Sequence, residues 1–273
     1  MNRRRFLRTT GLSTVFISTG AFPLAAMDKA ELTKLTILHT NDVHSRIEPF
    51  PMDGSRAAGM GGAAKRAALI EKVRQEEDHV LLLDAGDIFQ GTPYFNFFGG
   101  ELEFKLMSEM RYDAATIGNH DFDAGIDGLF KQLPSASFPF VISNYDFSDT
   151  ILHSNTHTHR IFQKGDIRIG LLGVGIELEG LVPRDLYKAT RYLNTVEYAN
   201  KYAKILKKEK NCDYVICLSH LGFKYDEDKV SDIVLAKQSE HIDLIIGGHT
   251  HTFLDAPVVE KNRKDEPVVI TQV

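Results

Sequence analysis

Five short polar clusters follow apolar runs at widely separated points of the chain. Their side chains are aspartate, asparagine and histidine, which offer oxygen and nitrogen ligands to divalent metal ions. A single residue of these types usually has a structural role, but five such clusters together predict a hydrolase centre that holds two ions. The sequence offers no comparable support for a nucleophilic serine or cysteine. The clusters are Asp42 and His44, Asp87, Asn119 and His120, His220, and His249 and His251.

The first and last clusters each contain two residues that are two positions apart. Side chains at this spacing in an extended segment point to the same side, so Asp42 and His44 can hold one ion together. His249 and His251 follow a glycine pair and can present both imidazoles to one centre. His39 is offset from Asp42 by an odd number of positions, and we expect it to pack beside its strand.

The second and third clusters supply the remaining roles of a hydrolytic site. Asp87 follows a glycine that allows a sharp turn, and its two carboxylate oxygens predict that it bridges two ions. Asp84, at the end of the apolar run, is expected to orient neighbouring groups. The amide oxygen of Asn119 can ligate without adding charge. His120 is a candidate general acid and transition-state stabiliser whose tautomer Asp123 could fix, although spacing alone leaves a purely structural hydrogen bond open.

The segments around these clusters alternate between β-branched apolar runs and helical patterns, which is typical of an α/β fold. Such folds place their sites in loops beyond strand ends, so we expect the clusters to converge at one edge of a sheet. The histidine-rich segment 146–160 is expected to be an exposed loop that leads into a hairpin. Strands are predicted at 35–38, 80–83, 114–117, 139–142, 167–174, 214–218, 244–246 and 268–270, and helices at 62–77, 101–110 and 196–208.

The composition limits the classes of partner. The 273 residues suffice for one large domain or two small ones. A formal net charge of -5 argues against nucleic acid as a partner, because no basic stripe is available to neutralise phosphates. A small anionic substrate would therefore have to be held by metal charge.

The amino terminus has the pattern of an export signal. Three arginines, Arg3 to Arg5, precede a mildly apolar stretch at 11–24 and then Ala25-Ala26. The arginines with the following Phe-Leu-Arg resemble a twin-arginine signal, so residues 1–26 predict an exported, periplasmic protein. The stretch is too short to span a bilayer and no cysteine lies near its end, so no stable membrane anchor is expected.

The clusters together carry a family resemblance. Their order, Asp-x-His, Gly-Asp, Gly-Asn-His-Asp, Ser-His and Gly-Gly-His-Thr-His, resembles that of the calcineurin-like metallophosphoesterases. The forms that look like the bacterial 5'-nucleotidase branch are His39-Thr40-Asn41-Asp42, Gly61-Gly62-Ala63-Ala64, Gly118 to Asp123, Ser219-His220-Leu221-Gly222 and Gly248-His249-Thr250-His251-Thr252. The resemblance runs from about Leu35 to the end of the chain.

This resemblance implies a fold and a set of residue roles. The fold would be a four-layered α/β sandwich with two central mixed sheets, formed by residues 33–273. Two divalent ions of manganese, zinc, iron or magnesium would lower the pKa of a shared water, and hydroxide would attack phosphorus in line with the leaving group. His120, paired with Asp123, would stabilise the transition state or protonate the leaving group. One ion would be held by Asp42, His44, Asp87 and His251, and the other by Asp87, Asn119, His220 and His249.

The resemblance leaves the substrate open. This branch normally continues into a second, nucleotide-recognising domain, and the sequence stops in the last predicted strand, so that domain is expected to be absent. The favoured hypothesis is a 5'-nucleotidase-type phosphomonoesterase, which could act beside a separately encoded recognition domain. The alternatives are a hydrolase of cyclic nucleotides, nucleotide sugars or sulfur-linked esters, and a metal-binding module without catalysis.

Overall fold

The computed structural model describes residues 33–273, so the predicted export signal lies outside the described residues. The described strands are β1 (Thr36–Thr40), β2 (Val80–Asp84), β3 (Ala114–Ala115), β4 (Tyr145–Asp146), β5 (His159–Lys164), β6 (Ile167–Gly175), β7 (Arg191–Tyr192), β8 (Tyr214–His220), β9 (Leu244–Gly247), β10 (Val258–Lys261) and β11 (Pro267–Thr271). The α-helices are α1 (Ala63–Glu76), α2 (Pro93–Phe98), α3 (Glu101–Glu109), α4 (Gly125–Gln132), α5 (Arg184–Tyr187), α6 (Thr195–Lys204) and α7 (Asp232–Gln238).

The strands that precede the polar clusters belong to two sheets. One sheet has the order β1-β2-β3 and is parallel throughout. The other has the order β10-β11-β9-β8-β6-β5, with antiparallel pairs at its two edges and parallel pairs between them. A separate antiparallel pair joins β4 to β7. Because β1, β2, β3, β8 and β9 are all paired in parallel, the turns at their carboxyl ends can gather in one region.

Apolar side chains fill three layers around the two sheets. Along β8, Ile216 and Leu218 pack with Leu81 of β2 between the sheets, whereas Val215 and Cys217 face the opposite side and pack against α6 and α7. This alternation follows from the two-residue period of a strand. A third cluster lies between the three-stranded sheet and the helices α1, α3 and α4. The arrangement of helix, sheet, sheet and helix confirms the four-layered α/β class.

The structure corrects some of the predicted elements. The strand expected at 139–142 forms only isolated bridges, from Phe140 to Ala115 and from Val141 to His157, because its neighbour β3 is only two residues long. The helix expected at 196–208 ends as an α-helix at Lys204 and continues as a π-helical turn over Ile205–Glu209. The predicted hairpin is present as β5 and β6. None of the described helices is both long and apolar enough to cross a membrane.

Candidate dimetal site

The turns at the ends of β1, β2, β3, β8 and β9 surround a cavity of about 390 Å³. Asp42 and His220 do not line it, but their buried side chains lie next to each other, with His220 Nε2 4.0 Å from Asp42 Oδ1. The cavity is lined by His44, Asp87, Gln90, Asn119, His120, Leu181, His249 and His251. The structure therefore brings all seven predicted metal ligands into one region, and their ligand roles stay predictions.

The ligand-type atoms fall into two groups that each span less than 4.8 Å. In the first, Asp42 Oδ1 lies 3.5 Å from His251 Nε2, and the Nε2 atoms of His44 and His251 are 3.1 Å apart. The second contains Asp87, His220 and His249, and His249 Nδ1 lies 2.8 Å from the amide oxygen of Asn119.

Asp87 lies between these two groups. Its Oδ2 is 3.0 Å from His220 Nε2 in the second group and 3.8 Å from His44 Nε2 in the first. One carboxylate within reach of both groups has the geometry expected of a bridging ligand.

His220 tests whether these residues fit a divalent ion. Its Nδ1 donates a hydrogen bond to the carbonyl oxygen of Ala85 at 2.7 Å, while the buried Nε2 faces Asp87 Oδ2 at 3.0 Å. A histidine that is oriented through one ring nitrogen and presents the other to carboxylates is the usual arrangement of a metal ligand. The donor set therefore fits divalent metal.

Buried negative charge beneath the cavity favours a cation there. Burial lowers the pKa of His220, but the carboxylates of Asp87 and Asp42 outweigh it, so the pKa rises to about 10. Burial, together with the positive charge on His220, lowers the pKa of His249 to about 4. A divalent ion would replace the proton of His220 and neutralise the same carboxylates.

Several of these side chains sit on strained backbone. The turns place Asp42, His44, Asp87, His249 and His251 at positive φ, between 47° and 79°. A residue other than glycine in this region costs about 1–3 kcal/mol, and such residues cluster at functional sites. The pairing of Asp42 with His44 thus arises in a turn after β1, so the predicted extended segment is wrong although the two side chains do converge.

Hydrogen bonds from neighbouring groups fix the orientation of Asp42. The backbone N–H of His249 donates to both carboxylate oxygens, at 2.9 and 3.0 Å, and the side-chain amide of Asn41 donates to Oδ2 at 2.6 Å. Asn41 in turn accepts from the N–H of Val273 and donates to its carbonyl oxygen. Asp84 accepts from the Thr40 hydroxyl at 2.6 Å and from Gly86 N–H at 2.9 Å, in agreement with its expected orienting role.

His120 and Asp123 form the pair expected from their spacing. His120 Nδ1 lies 2.9 Å from Asp123 Oδ2, and this hydrogen bond raises the pKa of His120. The backbone N–H of His120 donates to Asp87 Oδ1 at 2.8 Å. The imidazole is 40% exposed and lines the cavity, so its other nitrogen is available to a bound molecule.

Sequence reasoning missed three residues of this region, two that line the cavity and one that is buried next to the Asp87 turn. Gln90 and Leu181 line the cavity, and Leu181 is 45% exposed. Asp121 is fully buried and accepts four backbone N–H groups beneath the Asp87 turn. Its place beside His120 in the motif was the available signal, but nothing in the sequence indicated where its carboxylate points. The histidines of segment 146–160 do not line this cavity.

Comparison with known proteins relates this chain to phosphoesterases. Residues 35–253 match the calcineurin-like phosphoesterase family. The chain is 36% identical over 228 residues to a snake venom 5'-nucleotidase of Crotalus adamanteus. This alignment covers 81% of this chain and 37% of the relative. It is 31% identical over 271 residues to human 5'-nucleotidase, covering 95% of this chain and 45% of the relative.

A solved structure has the same fold. A 5'-nucleotidase precursor from Thermus thermophilus superposes with a TM-score of 0.79 at 32% identity, covering 88% of this chain and 48% of that one. The chain thus spans less than half the length of these three proteins. The family match covers most of the described residues and includes every cluster around the cavity. The chain belongs to the calcineurin-like phosphoesterase family.

Proposed function

We propose that the chain hydrolyses phosphate monoesters with the help of two divalent ions, and that nucleoside 5'-monophosphates are its preferred substrates. The observation that carries this proposal is the pair of ligand groups that share Asp87 and lie beside His120 in one cavity. Members of this family use two divalent metals. The names of the relatives support a nucleotide as substrate.

The proposed ligands divide between the two ions. One ion would be held by Asp42, His44 and His251, and the other by Asn119, His220 and His249. Both ions would share the carboxylate of Asp87. When bound, the two ions would supply an activated water and polarise the phosphoryl oxygens. Manganese, zinc, iron and magnesium all suit such donors in part, and elemental analysis of protein purified without added metal identifies the ion.

The remaining chemistry falls to His120 and Asp123. Asp123 accepts a hydrogen bond from the Nδ1–H of His120 and thereby orients the ring, so Nε2 can donate a proton to the leaving oxygen. The raised pKa of His120 favours the protonated form that a general acid needs.

The cavity holds a phosphate more readily than it recognises a base. Its lining includes neither lysine nor arginine, so bound metal would supply the positive charge for the substrate. The described residues that line it include no phenylalanine, tyrosine or tryptophan ring for a base to stack on. We therefore propose weak base selectivity for the described residues, with recognition of the base supplied by residues outside this domain. Comparable KM values for AMP, GMP and an aryl phosphate support this, and strong discrimination by this chain contradicts it.

We also propose that the protein is exported to the periplasm through a twin-arginine signal at residues 1–26. The layout of these residues supports the route. Relatives described as a venom protein and as a precursor are consistent with export. Fractionation of cells that express the full chain, compared with an Arg3→Lys and Arg4→Lys double variant, tests the proposal.

The test of the function is metal-dependent release of phosphate from AMP. Wild-type protein should release phosphate after manganese loading, and the Asp87→Ala and His120→Asn variants should lose this activity. His153→Asn, in an exposed loop, is the matched control and should behave as wild type. A panel with cyclic nucleotides and nucleotide sugars separates monoesterase from diesterase activity. Protein that retains two ions and hydrolyses no ester supports a metal-binding module instead.

A further inference from the structure

Asp121 is a buried carboxylate that does not line the cavity. It lies in the 3-10 turn His120–Phe122 and is fully shielded from solvent. Its Oδ1 accepts the N–H groups of Ile88 at 2.9 Å and Phe89 at 3.1 Å, and its Oδ2 accepts those of Asp87 at 3.1 Å and Gly118 at 2.8 Å. Every carboxylate contact is thus to the backbone of one of the two turns that carry Asp87 and Asn119.

Three consecutive N–H groups can converge on one anion only when the backbone bends sharply. Gly86 and Asp87 provide this bend with φ values of 90° and 56°. Successive N–H groups in such a concave turn form an anion-binding nest, and Asp121 fills it from within the chain. The hydrogen bonds therefore favour the strained conformation that aims the Asp87 side chain into the cavity.

The same contacts join the second turn to the first. Gly118 is held by Asp121 Oδ2, and His120 N–H donates to Asp87 Oδ1. A Cβ atom at Gly118 would lie only 2.2 Å from Asp87 Oδ1, so the two turns are in close contact. Any movement of Asp121 would change the position of Asp87 relative to Asn119.

We propose that Asp121 is a positioning residue that sets the placement of the shared carboxylate Asp87 between the two metal-ligand groups. Asp121 does not line the cavity, and its hydrogen bonds go to backbone N–H groups. It therefore acts through the backbone of the Asp87 turn. The inference rests on the proposed dimetal function. Removing an outer partner of a metal ligand typically weakens metal affinity or activity by about 10- to 100-fold.

The test compares Asp121→Asn with wild-type protein by manganese titration. The amide has one acceptor oxygen in place of two, so part of the nest loses its partner. The affinity for the more weakly bound of the two Mn²⁺ ions should fall about 10- to 100-fold, and kcat should fall with it. The EPR signal of two coupled manganese ions should weaken. Hydrogen exchange at Ile88 and Phe89 should accelerate in metal-free protein.

Two variants separate positioning from general stability. Asp243→Asn removes another buried carboxylate that accepts a backbone N–H, at the opposite end of β9, and should retain wild-type manganese affinity. Asp121→Glu keeps both oxygens and should restore most of the affinity. If Asp121→Asn does not fold, Asp121→Ser carries a smaller polar group and replaces it in the titration.

The outcomes distinguish this inference from the function on which it rests. Wild-type affinity for both ions and an unchanged coupled EPR signal in folded Asp121→Asn or Asp121→Ser overturn the positioning role. If wild-type protein binds two ions but hydrolyses no phosphate ester, the proposed activity fails while the titration still decides the role of Asp121. Wild-type protein that binds fewer than two ions overturns both.

Discussion

At the scale of single residues, the pair His120 and Asp123 offers the sharpest test of the chemistry. If His120 protonates the leaving oxygen, His120→Asn should lower kcat for AMP by about 10²- to 10⁴-fold and leave the metal content unchanged. The loss should be smaller for p-nitrophenyl phosphate, because an aryl leaving group needs less protonation. Steady-state kinetics on both substrates measure the difference, and equal losses would argue against proton donation.

Asp123 should act only through His120. Asp123→Ala removes the carboxylate that holds Nδ1, so kcat should fall by less than in His120→Asn. In a double-mutant cycle, Asp123→Ala should then add almost nothing to the loss already caused by His120→Asn. Fully additive losses would show that Asp123 has an independent function. Asp127→Ala, an exposed carboxylate in the following helix, provides the control.

His39 should make the protein sensitive to acid. Burial lowers its pKa from 6.5 to about 4, so the folded state keeps it neutral where the unfolded state binds a proton. The folded state should therefore lose stability as pH falls from 6.5 towards 4, by about 3 kcal/mol at most, and lose none above 6.5.

Urea unfolding across this pH range tests the role of His39. The dependence of unfolding free energy on pH should be shallower in His39→Gln than in wild type. His153→Gln, in an exposed loop, should leave the slope unchanged. Identical slopes for wild type and His39→Gln would contradict the assignment.

The types of the residues at this candidate site were predictable from the sequence, whereas their backbone conformations and contacts were not. The sequence identified seven ligand-type side chains because aspartate, asparagine and histidine at strand ends are informative by type. It did not reveal the positive φ of Asp42 or the contacts of Asp121, because both depend on how separate turns pack. Hydrogen bonds to backbone N–H groups leave little trace in a single sequence.

At the scale of elements, the turns after β2 and β3 must approach each other closely. A Cβ atom at Gly118 would lie 2.2 Å from Asp87 Oδ1 and 2.5 Å from Asp87 N. Gly118→Ala should therefore displace Asp87, weaken manganese binding and lower activity at least 10-fold, as expected when a metal ligand loses its support. Manganese titration and phosphate release provide the measurements.

A second glycine provides the control for this substitution. A Cβ atom at Gly54 would have no other atom within 4 Å, although the φ of 80° there adds backbone strain. Gly54→Ala should lower stability somewhat and leave manganese affinity intact. If Gly118→Ala binds manganese as tightly as wild type, the close approach of the two turns is not required for the site.

Elements that consist of a continuous apolar run, or that repeat a helical period over several turns, were predictable from the sequence. The strands that lead into the site, including β2, β8 and β9, begin within one residue of the expected positions. The helices α2, α4, α5 and α7 were missed, because four to eight residues are too few for a clear helical period. The short β3 depends on its neighbours, since two alanines have little intrinsic preference for a strand.

At the scale of the whole molecule, the proposed metal centre lies where the two sheets meet. The strands of the three-stranded sheet lead into Asp42, His44, Asp87 and Asn119. The six-stranded sheet supplies His220, His249 and His251. The His249 N–H also donates to Asp42 across this boundary. Bound ions would therefore tie the sheets together, and they would bind the folded chain far better than the unfolded one.

Metal removal should therefore destabilise the whole protein. At a free metal concentration about 100 times the dissociation constant, each ion adds about 2.7 kcal/mol to the free energy of unfolding. Two ions should raise Tm by about 10 °C or more for a chain of this size, and EDTA should reverse the rise. Calorimetry with and without Mn²⁺ gives the shift. Asp87→Ala, which lacks the shared carboxylate, should show little of it, whereas Asp243→Asn should show a wild-type shift from a lower starting Tm. If EDTA leaves the wild-type Tm unchanged, metal does not link the two sheets.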